Sequence, residues 1–252
     1  MLKRRIIPVQ LLHNGRLVKT VRFDGWRDVG DPVKSSAVYN SQYADELIFL
    51  NIARDRDSVQ PMAELLQKVS EECFMPLSVG GGIRNFNDAA YLIQNGADKV
   101  VVNSAAYHDH ELVSRIADRF GTQAVIVAID AKREDKTYVI MSASASKVEA
   151  VTLEEHINAC ERAGAGEFLV QSIDRDGTME GFDLDLLRLA CSASSVPIIG
   201  CGGSGQYNHL KEAFLDTDVS ALACGSLFNF SDSNPMRAKA FLSNYGLQFK
   251  VV

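Results

Sequence analysis

The sequence predicts an α/β fold, a (β/α)8 TIM barrel built from two repeated half-barrels. Three observations carry this expectation. Two glycine turns, Val79-Gly80-Gly81-Gly82-Ile83 and Gly200-Cys201-Gly202-Gly203-Ser204, each follow a short apolar run led by a proline, Pro76 and Pro197. An offset of 121 residues superposes Gly81-Gly82 on Gly202-Gly203, close to half of the 252-residue chain. Short apolar strands alternate with helical patterns throughout, at spacings suited to right-handed crossovers. One domain over residues 1–252 follows, with half-barrels of about 1–121 and 122–252, eight strands and eight helices; barrels of this size commonly form one domain.

In chain order, strand one is Arg5 to Leu12. The polar connection from His13 to Gly30 shows little apolar periodicity and reads as a long functional loop. Asp31-Pro32 reads as an N-cap followed by an N1 proline, opening a helix to about Tyr43. Strand two runs from Asp45 to Ile52, and a helix extends from near Pro61 to about Cys73. Strand three carries the first glycine turn. Helix three, Asn85 to Asn95, is closed by Gly96 at C′. Strand four is Lys99 to Ser104, and its helix runs from near Asp109 to Gly121.

The second half repeats this order. Strand five is Ala124 to Asp130, followed by a polar excursion from Lys132 to Val151 with a hairpin at Glu134-Asp135. Thr152-Leu153-Glu154-Glu155 is a capping box for a helix that Gly164 closes. Strand six is Glu167 to Ile173, and a helix spans roughly Asp183 to Ser192. Strand seven carries the second glycine turn, strand eight is Ser220 to Gly225, and Asn234-Pro235 opens the last helix.

Composition narrows the function. With 46% hydrophobic residues the chain can bury a substantial core, and its net charge of −6 is spread out. That balance argues against nucleic acid or an anionic membrane as partner. The start, Met1 to Pro8, has no hydrophobic region of signal-peptide length, and no apolar run approaches a membrane span. The five cysteines (Cys73, Cys160, Cys191, Cys201 and Cys224) are odd in number and lack CxxC spacing. Buried thiols in a reducing cytoplasm are expected, with neither a metal nor a cofactor. Of the five histidines only His108-x-His110 approaches ligand spacing, and its place at a helix start favours solvation.

In such barrels the site lies at the C-terminal strand ends. Gly81 and Gly82 with Asn103 and Ser104 would form one phosphate cradle. Gly177 with Gly202, Gly203, Gly225 and Ser226 would form the other. Backbone N–H groups approach an anion closely only where side chains are absent. For either turn alone, glycine could equally serve the tight turn; the symmetric pair favours phosphate.

The internal repeat also aligns Asn51-Ile52-Ala53-Arg54-Asp55 with Ser172-Ile173-Asp174-Arg175-Asp176, and Leu11 with Asp130. Asp130, ending an apolar strand and facing Lys132 and Arg133, is the candidate acid/base. Asp174 and Asp176 are either site acids or structural ion-pair partners. Lys19 is a candidate phosphate clamp. At the opposite barrel end Arg5, Glu46, Lys99 and Glu167 all sit at strand starts, two of each sign. They form either a structural plug or a gate.

These features, over essentially the whole chain, resemble the cyclase subunit of imidazole glycerol phosphate synthase. The matching stretches include Arg5-Ile6-Ile7-Pro8, Asn14-Gly15-Arg16 with Lys19, Gly30-Asp31-Pro32, Gly96-Ala97-Asp98-Lys99-Val100 and Ala128-Ile129-Asp130-Ala131-Lys132-Arg133. The resemblance implies a glutaminase partner docked on the barrel floor, touching Asp98. It also implies an ammonia gate of Arg5, Glu46, Lys99 and Glu167. Asp130 would be one of two catalytic aspartates, and Lys19 would close over a small molecule phosphorylated at both ends.

Departures lie at the active end. The family's other catalytic aspartate is Leu11 here, its strand-two aspartate is Asn51, and its threonine before Ser172 is Gln171. Strand eight ends Cys224-Gly225-Ser226-Leu227-Phe228. This combination is similar to a paralogous branch, the acetamidino-modification proteins, which accompany a glutaminase and a sugar amidotransferase in surface-glycan synthesis. The expectation is therefore an ammonia-accepting synthase subunit serving sugar amidination. A histidine-pathway cyclase and a non-catalytic glutaminase-activating scaffold are the alternatives.

Overall fold

The computed structural model describes residues 3–53 and 58–250. Twelve strands run in chain order: β1 (Arg5–His13), β2 (Arg16–Val21), β3 (Asp24–Gly30), β4 (Leu47–Asn51), β5 (Leu77–Gly80), β6 (Lys99–Val102), β7 (Val125–Glu134), β8 (Thr137–Ser142), β9 (Lys147–Val148), β10 (Glu167–Ser172), β11 (Ile198–Cys201) and β12 (Ala221–Cys224). Eight of them, β1, β4, β5, β6, β7, β10, β11 and β12, pair in parallel with their neighbours. Because β12 pairs back onto β1, with Arg5 opposite Ala221 and Pro8 opposite Cys224, the sheet closes into the expected eight-stranded barrel.

The helices are α1 (Pro32–Ser41), α2 (Gln60–Ser70), α3 (Phe86–Gln94), α4 (His110–Phe120), α5 (Leu153–Arg162), α6 (Leu184–Ala193), α7 (Tyr207–Asp216), α8 (Ser226–Asn229) and α9 (Pro235–Ser243). Their starts follow local chemistry. Asp31 accepts from the Lys34 amide with Pro32 at the first helical position, and Asn234 caps α9 the same way. Asn85 and Thr152 both form reciprocal capping boxes. Each cap satisfies amide groups that the first helical turn cannot, worth about 1 kcal/mol. Gly96 and Gly164 lie at positive φ where α3 and α5 end, as the sequence predicts. Nine helices appear among the described residues rather than eight, because α8 is an extra single turn after β12.

Two apolar layers hold the barrel. Ile7, Ile48, Val101, Ile126, Leu169 and Ile199 fill its lumen, and a larger shell including Phe49, Leu92, Ile116, Phe168 and Leu242 lies between strands and helices.

The connection expected to be a loop, residues 13–30, is instead an antiparallel extension of β1 through β2 and β3. Asn14 and Gly15, both at positive φ, make the two-residue turn that hairpin twist demands. Leu17 and Val18 are buried although their neighbours are polar. The predicted hairpin in the second half is present: Glu134 pairs with Thr137, and β8 and β9 extend β7 as β2 and β3 extend β1. The internal repeat thus includes a hairpin on the first strand of each half.

Candidate active site

At the C-terminal strand ends lies a cavity of about 440 Å³, lined by Asp130, Asn103, Ser104, Gly81, Leu11 and Leu50 among others. A surface cleft of about 460 Å³ between α1 and residues 228–234 contains none of the predicted site residues. The mouth cavity is therefore the candidate site.

Asp130, in β7, points into this cavity, and Asn103 donates to its Oδ2 at 2.9 Å. Burial pushes its carboxyl up to about 7, against the lowering effect of the Asn103 amide. A carboxyl poised near neutrality can give and take a proton without a large penalty in either direction. Arg133 does not face it, contrary to expectation. The guanidinium turns outward to Asp183 and Asp185, at 3.2 and 3.0 Å, because alternate strand residues face opposite sides of the sheet.

The second predicted cradle forms a separate small chamber of about 20 Å³. It is lined by Gly177, Gly202, Gly203, Gly225 and Ser226, together with Lys19 and Asp176. That volume holds a water or two. Lys19 reaches it from β2, its Nζ 3.3 Å from the Val9 carbonyl. Burial lowers the Lys19 ammonium below its ordinary value, opposed by Asp176. Asp176 accepts from Thr20 at 2.7 Å, the Phe23 amide at 3.3 Å and Gln171 at 3.4 Å. Burial nevertheless raises its carboxyl.

Thr20 and Phe23 lie on the β2–β3 hairpin, so this carboxylate ties the hairpin across the mouth. Arg22 and Phe23 form the hairpin turn with positive φ at 54° and 60°. Such conformations cost about 1–2 kcal/mol per non-glycine residue. Bonds from the Arg22 amide to the Asp176 carbonyl and from Arg22 Nε to the Asp174 carbonyl hold that turn in place. The Asp174 carboxylate accepts from the Arg133 amide at 2.7 Å, which gives it a structural role.

Gly81 and Gly202 share one geometry. Both have positive φ, 89° and 95°, and a Cβ on either would strike the backbone of its repeat-equivalent neighbour, Asn51 or Ser172. Close strand packing therefore requires glycine at both turns whatever they bind. Gly81, Asn103 and Ser104 line the main cavity together, while Gly82 is not among its lining residues. Arg54 and Asp55, the predicted counterparts of Arg175 and Asp176, lie outside the described residues.

At the opposite barrel end the four charged residues close into a ring. Arg5 bonds Glu46 at 3.0 Å and Glu167 at 2.6 Å; Lys99 bonds the same two carboxylates at 3.0 and 2.6 Å. Burial alone would raise Glu167, but Arg5 and Lys99 outweigh it and the net shift is downward. Ser78 adds a bond to Glu46 from inside the barrel. Asp98, exposed beside the ring, accepts from the Leu77 amide at 2.8 Å.

The chain as a whole is similar to known proteins. A family model described as histidine biosynthesis protein matches residues 5–233. Relatives named imidazole glycerol phosphate synthase subunit HisF align over 251 residues. They include those of Chlorobaculum tepidum, 40% identical over the full length of both chains, and Thermotoga sp. strain RQ2, 41% identical over 100% of this chain and 99% of the relative. That of Dehalococcoides mccartyi is 41% identical with the same coverage. This chain belongs to the HisF family.

Within this HisF-family chain, Leu11 is buried and touches both chambers, at the position where the resemblance implies a second catalytic aspartate. Asn51 and Gln171 also line the main cavity. Sequence reasoning missed Thr20, Phe23 and Trp26, which border the mouth from the hairpin. The Asn14-Gly15 turn marks the β1–β2 reversal but not the β2–β3 pairing that brings them there. It also missed that Cys191 is half-buried while the other four thiols are buried. Among the described residues no helix is long and apolar enough to cross a membrane.

Proposed function

We propose that this chain is a HisF-type synthase subunit that accepts ammonia from a glutaminase partner through the barrel floor. The ammonia would be delivered to a doubly phosphorylated small molecule over Asp130. The observation that carries the reading is the shared axis: the charged ring closes one barrel end and the Asp130 cavity opens the other. The lumen between them is lined by Ile7, Ile48, Val101 and Leu169. An apolar lumen favours neutral ammonia over ammonium, since burying an unpaired charge is strongly unfavourable. On this reading the ring would open by side-chain movement of Lys99 or Arg5. Asp98 on the floor is the proposed glutaminase contact.

In the cavity, Asp130 would serve as acid and base. The Gly81–Gly82/Asn103–Ser104 and Gly177/Gly202–Gly203/Gly225–Ser226 cradles would hold the two phosphates, with Lys19 clamping the second. The chamber of about 20 Å³ would have to widen around Lys19 to admit a phosphate. The relatives' names favour imidazole glycerol phosphate formation as the reaction.

Leu11 favours a second reading. Leucine cannot shuttle a proton, and losing one acid/base partner costs roughly 10²–10⁴-fold. On this reading the same ammonia route serves amidination of a sugar, with a sugar amidotransferase as further partner.

The test is a cyclase assay on the purified chain with the ribulosyl bis-phosphate substrate of histidine biosynthesis and excess ammonium salt, beside Leu11→Asp. Substantial wild-type turnover supports the histidine reaction. Absence of turnover in both proteins, with retained bis-phosphate binding, supports the sugar reading. Loss of that binding together with turnover would leave neither and point to a scaffold.

A further inference from the structure

Among the described residues, one cluster of metal-ligating side chains lies outside this machinery. His110, at the start of α4, and His156 and Cys160, on α5, bring one nitrogen each and a sulfur within 4.8 Å of one another. His156 and Cys160 are four residues apart, so they lie on one face of α5. Both are buried, while His110 is exposed.

The surroundings suit a ligand set better than an apolar core. A buried imidazole normally finds good partners for its ring N–H and its lone pair. Among the described residues the hydrogen-bond contacts of the His156 ring are with the Cys160 sulfur, at 3.8 Å from Nδ1 and 3.7 Å from Nε2. Sulfur is a weak donor and a weak acceptor. Tyr107 stacks on the His156 ring at 4.0 Å and 16°. The buried Tyr107 hydroxyl has no hydrogen-bond partner among the described residues. Glu149, also buried, is already paired with Lys147 at 3.0 Å and His108 at 3.7 Å, so it is not counted among the ligands.

We propose that His110, His156 and Cys160 form a three-ligand site for a divalent transition-metal ion of the zinc class. Two imidazoles and a thiolate are a donor set zinc accepts, at about 2.0–2.1 Å for nitrogen and 2.3 Å for sulfur. Those lengths place tetrahedral donors about 3.5 Å apart, so the cluster needs to contract by roughly an ångström and the His156 ring to turn one nitrogen inward. Three protein ligands leave a fourth position to water. Binding replaces the Cys160 thiol proton with the ion, and that proton leaves to solvent past His110. The metal would tie the start of α4 to α5.

The experiment is a Co(II) titration of the full chain after chelator treatment and dialysis. The expected result is one equivalent bound with a thiolate-to-cobalt charge-transfer band, bleached by Zn(II). Cys160→Ala should abolish the band and Cys191→Ala should keep it. His110→Ala changes an exposed residue and should leave folding intact. It should weaken binding by more than the roughly 10–100-fold that loss of a mere outer-shell partner causes. Absence of the band in the native chain, or its survival in Cys160→Ala, would overturn the proposal. If Cys160→Ala does not fold, undiminished Co(II) affinity in His110→Ala overturns it equally.

Discussion

Lys19 Nζ occupies the space that a Cβ on Gly225 would fill. The two residues come from opposite ends of the chain, yet β1 pairs with both β2 and β12, and this brings the hairpin lysine over the strand-eight turn. Gly225→Ala should therefore leave the barrel folded, since the far end of a flexible side chain can move, but should expel the ammonium from the second cradle. A charge-assisted hydrogen bond contributes about 1.5–3 kcal/mol. Calorimetric titration with a bis-phosphorylated ligand should show roughly ten- to hundredfold weaker binding. Unchanged affinity would remove Lys19 from the clamp.

Asp130 gives a pH signature. Its native carboxyl titrates near 7, raised from 3.8 by burial. Between about pH 4 and 7 the unfolded chain has released this proton while the native chain still holds it. Stability from this group is therefore lost as pH rises through that window, by about 1.4 kcal/mol per unit. Asp130→Asn escapes the loss. In urea titrations its stability relative to wild type should climb by roughly 2–4 kcal/mol from pH 4 to pH 8 and then level off. The same substitution should cut turnover roughly 10²–10⁴-fold. A flat stability difference across pH would place the carboxyl in water rather than in a desolvated cavity.

The legible parts of the molecule were those with local chemistry. Pro32 and Pro235 behind their caps, the Thr152 box and the doubled glycine turns each act within a few residues, so the barrel and its repeat could be read directly. The β2–β3 hairpin was not legible as strand, because its pairing buries Leu17 and Val18 amid charged neighbours and its second turn uses Arg22 and Phe23 rather than glycine. What holds that turn, Asp176, is more than 150 residues away. The floor ring could be foreseen as four charges at strand starts, whereas its closure depends on barrel curvature. The grouping of His110 with His156 and Cys160 is likewise a product of helix packing, with no spacing to announce it.

The floor ring should separate stability from coupling. Glu167 is held below its ordinary 4.5 by Arg5 and Lys99 despite burial. A depressed carboxyl contributes stability that is present above pH 4.5 and lost as pH falls through its native value. Glu167→Gln leaves two cations facing one remaining carboxylate. It should cost about 2–4 kcal/mol at pH 7 and progressively less in acid. With a glutaminase partner, Lys99→Ala should let glutamine hydrolysis outrun product formation, measured as the ratio of glutamate to aminated product. A ratio held at one would assign the ring to structure alone.

The hairpin's hold on the mouth rests on Thr20, whose hydroxyl donates to Asp176 at 2.7 Å. Thr20→Val keeps the β-branched shape but removes that donor, leaving a buried carboxylate with the weaker Phe23 and Gln171 contacts. The loss should be about 1–3 kcal/mol. It should be felt locally, because the strained Arg22–Phe23 turn depends on the same loop. Hydrogen exchange should then quicken across residues 16–30 while β7 and β10 keep their protection, as expected for a unit that opens without the rest of the barrel. Faster exchange throughout the barrel would mean that Thr20 supports the whole fold, and an unchanged hairpin would mean that β1–β2 pairing alone keeps it down.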